Sequence, residues 1–249
     1  MLSHHLRRPS GLHRAFLLSL TAAALTSPAW ADEAAIRKTL ADRMPSLPKI
    51  DEISKTPVAG LYEVRMGAEL LYTDETGNFL IDGSIFDTKA RVNLTQARVE
   101  KLTAIDFANL PLKDAMVMKQ GNGSRKMAVF ADPNCGYCKR LEKDLLTLKD
   151  VTIYTFVLPI LGGDSALKSR NIVCAKEPMK TWRSWMIDGA VPARSAEGCD
   201  ATALERNQEF ARKYKINGTP ALVFEDGTRA PGAWPADRIE KQLVAARKS

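Results

Sequence analysis

Past residue 13 the chain contains no histidine; His4, His5 and His13 all stand near the amino terminus. If that segment is removed, imidazole dyads and metal sites that need imidazole are excluded. Long apolar runs are also missing. The stretch "AFLLSLTAAAL" (15–25) is too short to cross a bilayer, which takes ~20 residues. It lies between Arg7, Arg8 and Arg14 on one side and "AWA" (29–31) on the other. A basic start, a short apolar middle and a small-x-small end predict a signal peptide over 1–31, with a mature chain from Asp32 and no further transmembrane candidate. Its removal takes three arginines away and leaves 33 basic against 29 acidic residues, a net +4 in place of +7. A surplus that small, with no dense basic block, argues against nucleic acid as a partner.

Cysteine is scarce too, and all four copies, Cys135, Cys138, Cys174 and Cys199, remain after cleavage. Export puts them where disulfides persist. Four cysteines allow three pairings, and the spacing favours Cys135–Cys138 with Cys174–Cys199. A zinc site would need two further ligands for the Cys135/Cys138 pair. Cys174 and Cys199 are too far apart in sequence to resemble a second metal-binding pair, and histidine is absent. No metal or bound cofactor is expected.

The remaining pattern divides the mature chain. "DEAAIRKTLADRM" (32–44) reads as a short helix with Ala35, Ile36, Leu40 and Met44 on one face, ended by Pro45 and Pro48. "LYEVRM" (61–66), "ELLYTD" (69–74), "FLIDGSIFD" (79–87) and "KARVNL" (89–94) read as strands, with turns at Gly67 and 74–78. A unit this small buries little of its own surface and often needs a partner. Thr95 is expected to cap a helix over 96–110 that Pro111 stops, forming a connector. A second unit begins near Leu112. It contains a strand at "KMAVFA" (126–131), a helix after Cys135 with Leu141, Leu145 and Leu148 on one face, and a strand at "VTIYTFVLP" (151–159). A parallel, right-handed crossover follows from that order. A helical stretch runs from Asp164 to about Tyr214, interrupted at 189–198. A hairpin across "EDGT" and a closing helix from Pro235 complete the unit. This order fits a mixed sheet with helices on its faces.

"DPNCGYCKR" (132–140) places Cys135 where a strand ends and a helix begins. The first amides of a helix lack intrahelical partners, and with the macrodipole they favour negative charge. Lys139 and Arg140 add positive charge. Such thiols ionise below the free value of about 8.5. The expectation is a nucleophilic Cys135 that reaches solvent and a more buried, resolving Cys138 one turn on. Gly136 is expected to allow a tight turn and Tyr137 to offer an exposed apolar face. A structural Cys174–Cys199 bridge would close a loop of ~25 residues and contribute about 3.5 kcal/mol in the chain-entropy view. "NGTPALVF" (217–224) puts Thr219-Pro220 just before a strand, where proline is tolerated. The sequence alone leaves that bond trans.

A CxxC after a strand, with Thr-Pro before a late strand, resembles the thioredoxin fold. With "DEAAIRKTL", "PVAG", "CGYC", "VCAK", "GTP" and "RAPG", nearly the whole mature chain is similar to the DsbC/DsbG family of bacterial periplasmic disulfide isomerases. The resemblance implies an α+β and α/β architecture: a small antiparallel-sheet dimerisation domain (32–93), a linker helix (94–111) and a thioredoxin-like catalytic domain with a helical insert (112–249). It further implies that Pro220 is cis and faces Cys135, that Thr219 helps set redox behaviour and substrate contact, and that Cys174–Cys199 is the structural disulfide. A homodimer would hold two catalytic domains around an open cleft, and a DsbD-type membrane reductase would keep the active pair reduced. Asn134 departs from the threonine common in this family before the motif.

The function expected is a periplasmic thiol:disulfide interchange protein that reduces and rearranges incorrect disulfides in misfolded exported proteins, with chaperone activity. A net dithiol oxidase and a holdase chaperone of the DsbG type are the alternatives.

Overall fold

The computed structural model describes residues 29–247, so residues 1–28 of the expected signal peptide lie outside the described residues. Helix α1 (Ala29–Arg43) packs on a four-stranded antiparallel sheet, β1 (Glu52–Lys55), β2 (Leu61–Met66), β3 (Glu69–Asp74) and β4 (Leu80–Ile81), in that spatial order. The alternation in β2 explains its seating: Tyr62, Val64 and Met66 are buried, while Leu61, Glu63 and Arg65 are only half-buried. Period-two alternation puts one set of side chains on the core face. Among the α1 side chains described, Ile36 and Leu40 are buried; Ala35 and Met44, expected on the same face, are exposed. The Arg37 guanidinium donates to the Ile50 carbonyl at 2.6 Å and ties the helix to the chain entering β1.

The turn after β3 is built by one carboxylate. Asp74 accepts from the backbone N–H groups of Thr76, Asn78 and Phe79 and from the Thr76 hydroxyl. These bonds, the hydroxyl's foremost, hold its pKa down to about 2. Beyond it, the long strands expected at 79–87 and 89–94 shrink to two-residue pairings: β4, and the ribbon of β5 (Phe86–Asp87) with β6 (Val92–Asn93). Gly83 and a left-handed Arg91 (φ 57°) interrupt the extended chain. A single ordinary residue in that conformation breaks a strand.

Helix α2 covers Leu94–Thr103, shorter than the helix expected over 96–110. Its cap is Asn93, whose side chain accepts from the Gln96 N–H, and not Thr95. Thr95 Oγ1 instead accepts from the Ile85 N–H and bonds Tyr72. The chain leaves the helix because Ile105, Phe107 and Leu110 are drawn into the second core, where they are buried. Burial of three large apolar side chains outweighs one more helical turn.

The second unit is a five-stranded sheet in the order β11-β10-β8-β9-β7. Its members are β7 (Met116–Gln120), β8 (Arg125–Ala131), β9 (Val151–Val157), β10 (Ala221–Phe224) and β11 (Arg229–Pro231). β8 and β9 are parallel and joined through α3 (Gly136–Leu145), the crossover expected. The other pairings are antiparallel. β7 is a strand the sequence reading did not find. β8 alternates between two cores. Met127 and Val129 face one with Leu141, Leu145 and Leu148; Ala128 and Phe130 face the other with Phe156 and Val223. Helices α4 (Ser165–Val173), α5 (Pro178–Arg183), a π-helical turn (Ser184–Asp188) and α6 (Thr202–Lys213) form the insert. α7 (Ala236–Ala246) closes the unit, with Ile239 and Leu243 buried. The second unit is thus a mixed sheet with helices on its faces, as expected, preceded by an antiparallel amino-terminal sheet.

A candidate dithiol site at the start of a helix

The buried strand β8 ends at Ala131, and the next residues must reverse direction to begin α3. Asp132 organises that reversal. It is wholly buried, yet its carboxylate accepts four bonds: from the N–H groups of Asn134 (2.7 Å), Ile160 (2.8 Å) and Leu161 (3.0 Å) and from the Ser165 hydroxyl (2.7 Å). A buried carboxylate is tolerable only with such partners. It thereby ties the turn before the cysteines to the loop after β9. The sequence offered a signal for this in an aspartate ending an apolar strand, and the sequence reading did not use it.

Cys135 is the N-cap of α3, with extended backbone (φ −77°, ψ 113°). Its sulfur accepts from the Cys138 N–H at 3.1 Å, one of the amides that open the helix. The same sulfur donates to the Thr219 carbonyl at 3.2 Å. The Thr219–Pro220 bond is cis. Residues 84 apart in sequence thus meet at one atom. Cys135 and Cys138 are free thiols, with 4% and 1% of their surfaces exposed. Cys135 is therefore much more enclosed than the sequence reading supposed, although it remains the more open of the two. Burial, and then the hydrogen bond with Cys135, push the Cys138 thiol well above its ordinary pKa.

The remaining expected residues fall around this pair. Tyr137 is 64% exposed, with the Arg140 guanidinium 5.3 Å from its ring centroid. Gly136 is the first helical residue; its φ is not in the left-handed region, and a Cβ there would meet nothing within 4 Å. The tight turn expected to need glycine does not need it. Cys174 and Cys199 are bonded, with Cα atoms 6.0 Å apart. They join the end of α4 to the segment before α6.

Two tryptophans of the insert reach the site and were not singled out in the sequence. Trp182 Nε1 donates to Glu142 Oε1 at 2.6 Å, and both residues are buried. Burial raises the Glu142 pKa, opposed by that bond and by Arg183. Trp185 Nε1 donates to the Pro133 carbonyl at 2.6 Å. Asn134 holds Asp164 and Lys168 through its side-chain amide, at 2.9 and 3.0 Å. Among the described residues no cluster of three or more His, Cys, Asp or Glu forms a metal site. No helix among them is long and apolar enough to cross a membrane.

A sulfur on helix-opening amides, with a second thiol behind it, can capture another sulfur and then release it. The chain is similar to known proteins along most of its length. Residues 112–247 match the family described as thioredoxin-like domain, and 27–96 match the disulfide bond isomerase protein N-terminal domain. The chain is 42% identical over 209 residues to the probable thiol:disulfide interchange protein DsbC of Bordetella parapertussis, covering 84% of this chain and 73% of that one. It is 30% identical over 244 residues to the thiol:disulfide interchange protein DsbC of Escherichia coli K12, covering 95% and 98%. Among solved structures, a disulfide interchange protein from Neisseria gonorrhoeae matches with TM-score 0.52 and 35% identity, over 55% of this chain and 99% of that one. With both regions matched and identity sustained along most of its length, the chain belongs to the DsbC family of thioredoxin-like thiol:disulfide interchange proteins.

Proposed function

We propose that this chain is a thiol–disulfide isomerase for exported proteins, with Cys135 as nucleophile and Cys138 as resolving thiol. The observation that carries the reading is the Cys138 N–H bonded to Cys135 Sγ at the helix start. An acceptor bond of this kind strengthens as the sulfur becomes anionic.

The Cys135 thiolate attacks one sulfur of a wrong substrate disulfide, forming a mixed disulfide and expelling the other substrate sulfur as a thiolate. Two exits follow. A substrate thiolate attacks elsewhere and returns Cys135 as thiolate, so the pairing is rearranged with no net electron transfer. Alternatively, Cys138 loses its proton and attacks Cys135, leaving an oxidised Cys135–Cys138 pair and a substrate reduced by two electrons. Burial of Cys138 keeps it protonated and so favours the first exit. The reductive exit requires a reductase, for which a DsbD-type membrane protein is the partner. No bound cofactor takes part.

Residues 1–31 act as a signal peptide directing the chain to the periplasm. The amino-terminal domain makes a homodimer. Phe79 and Ile81 at the outer strand β4 and Phe86 and Val92 on the β5–β6 ribbon are 42–70% exposed, apolar surface that suits a second copy. The same apolar surface supports a chaperone role.

The test is refolding of a scrambled multi-disulfide ribonuclease by the reduced protein. Activity is expected, and Cys135→Ala is expected to abolish it. A variant that still reshuffles disulfides overturns the assignment. Suppression of aggregation without any reshuffling by the parent protein would point to a holdase instead. A fully oxidised pair at steady state in cells would point to a net oxidase.

A further inference from the structure

Trp185 lies 47 residues beyond the CxxC motif, in the π-helical turn Ser184–Asp188. Wide turns of this kind recur at functional sites because they re-aim side chains. Here the turn brings the indole against the redox loop. Its N–H donates to Pro133, two residues before Cys135. Its ring carries two ammonium groups, Lys139 Nζ 4.1 Å and Lys168 Nζ 4.5 Å from the centroid.

The two lysines differ. Lys168 is paired with Asp164 at 2.7 Å and bonded to Asn134, so most of its charge is compensated locally. Lys139 follows Cys138 directly and stands four residues after Cys135, one turn along α3. Its ammonium has no ion pair among the described residues; the Trp185 face is what holds it. A lysine on a flexible stem otherwise spreads its charge through solvent. The aromatic face confines it.

We propose that Trp185 is a positioning residue for the dithiol: it keeps the Lys139 ammonium beside the start of α3 and so raises the thiolate fraction of Cys135. This rests on Cys135 being the reactive thiol. The other charged groups around that sulfur do not supply the same field. The Asp132 carboxylate is negative and cannot favour a thiolate, and Asp164 is paired with Lys168. Glu142 is engaged by Trp182, and Arg140 lies over Tyr137 and bonds the Ala233 carbonyl. The segment 216–220, whose Thr219 carbonyl bonds the Cys135 sulfur, carries no titratable side chain.

The experiment is iodoacetamide alkylation of the reduced protein with Cys174–Cys199 intact, followed from about pH 4 to about pH 9, with the labelled cysteine identified by mass spectrometry. Parent, Trp185→Leu, Lys139→Gln and the double variant are compared, and melting temperature is recorded for each. Below the midpoint, Trp185→Leu and Lys139→Gln are each expected to slow Cys135 alkylation about threefold, with the midpoint moved up. The double variant is expected to be no slower than Trp185→Leu, because the tryptophan acts through the lysine. A Trp185→Leu profile that superimposes on the parent's, with only the melting temperature lowered, overturns the inference. So do effects that multiply in the double variant. If the parent itself does not alkylate at Cys135 below the free-thiol range, the functional reading fails first, and this one with it.

Discussion

The Cys135 sulfur and the Thr219 carbonyl stand 3.2 Å apart although 84 residues separate them. The Thr219–Pro220 bond that follows is cis. The sulfur therefore has a donor on one side, the Cys138 N–H, and an acceptor on the other. Losing the thiol proton removes its bond to the carbonyl and keeps the bond from the amide.

Cys138→Ala separates the two exits of the mechanism. The variant is expected to capture substrate through Cys135 and accumulate mixed disulfides, because the thiol one turn along is gone. Non-reducing electrophoresis with mass spectrometry reads this directly. Rapid, complete release of substrate as reduced protein would contradict the assigned roles.

Asp132→Ala removes the one acceptor shared by Asn134, Ile160, Leu161 and Ser165. Four donors lose their partner, the Ser165 hydroxyl among them in a buried residue, and the expected destabilisation is about 2–4 kcal/mol. Denaturant unfolding measures it. The loop at 160–161 should also lose protection in amide hydrogen exchange, since its N–H groups are the ones released.

Glu142 is expected to make stability depend on pH. Its folded pKa lies above the unfolded value, so the folded state binds the proton more tightly. The contribution is fully present below the unfolded pKa near 4.5 and is lost as pH rises toward the folded pKa. Glu142→Gln keeps an acceptor for Trp182 and abolishes the titration. The variant is expected to gain stability relative to the parent between about pH 4 and neutrality, with the gap closing in acid. Unfolding curves at a series of pH values test this; a constant gap would show that the carboxyl does not titrate between the two states.

The Cys174–Cys199 bridge closes a 25-residue separation around the helical insert. Replacing both by alanine is expected to cost about 3 kcal/mol. Alkylation of Cys135 in the folded variant should remain, because the bridge lies at the end of α4 and not at the dithiol. Loss of reactivity in a fully folded double variant would assign the bridge a part in the site itself.

Much of the second unit was legible because its signals are local. Leu141, Leu145 and Leu148 recur at helical spacing, and all three are buried under the sheet. Asp226-Gly227 sits between β10 and β11 as the hairpin signal indicated. Other elements were misread where tertiary packing opposed local pattern. Ile105, Phe107 and Leu110 look like the end of a helix, yet the second core draws them out of it. β7 reads "MVMKQ", only three residues of it apolar, and its pairing with β9 is what makes it a strand. The extended stretches at 79–94 have strand composition but too few partners to become strands.

The sequence by itself determined the chemistry available: two cysteines three apart at a strand-to-helix junction, with no histidine past residue 13, in a chain whose motifs belong to one family. Periodicity and turn residues carry that information because they act over a few neighbours. Only the tertiary structure decided what surrounds the sulfur. The approach of Thr219 from 84 residues away, three of the four donors gathered on Asp132 and the indole of Trp185 set between Lys139 and Pro133 all come from distant segments. They are brought together by burial, which has no sequence period, and so no local reading of residues could have placed them.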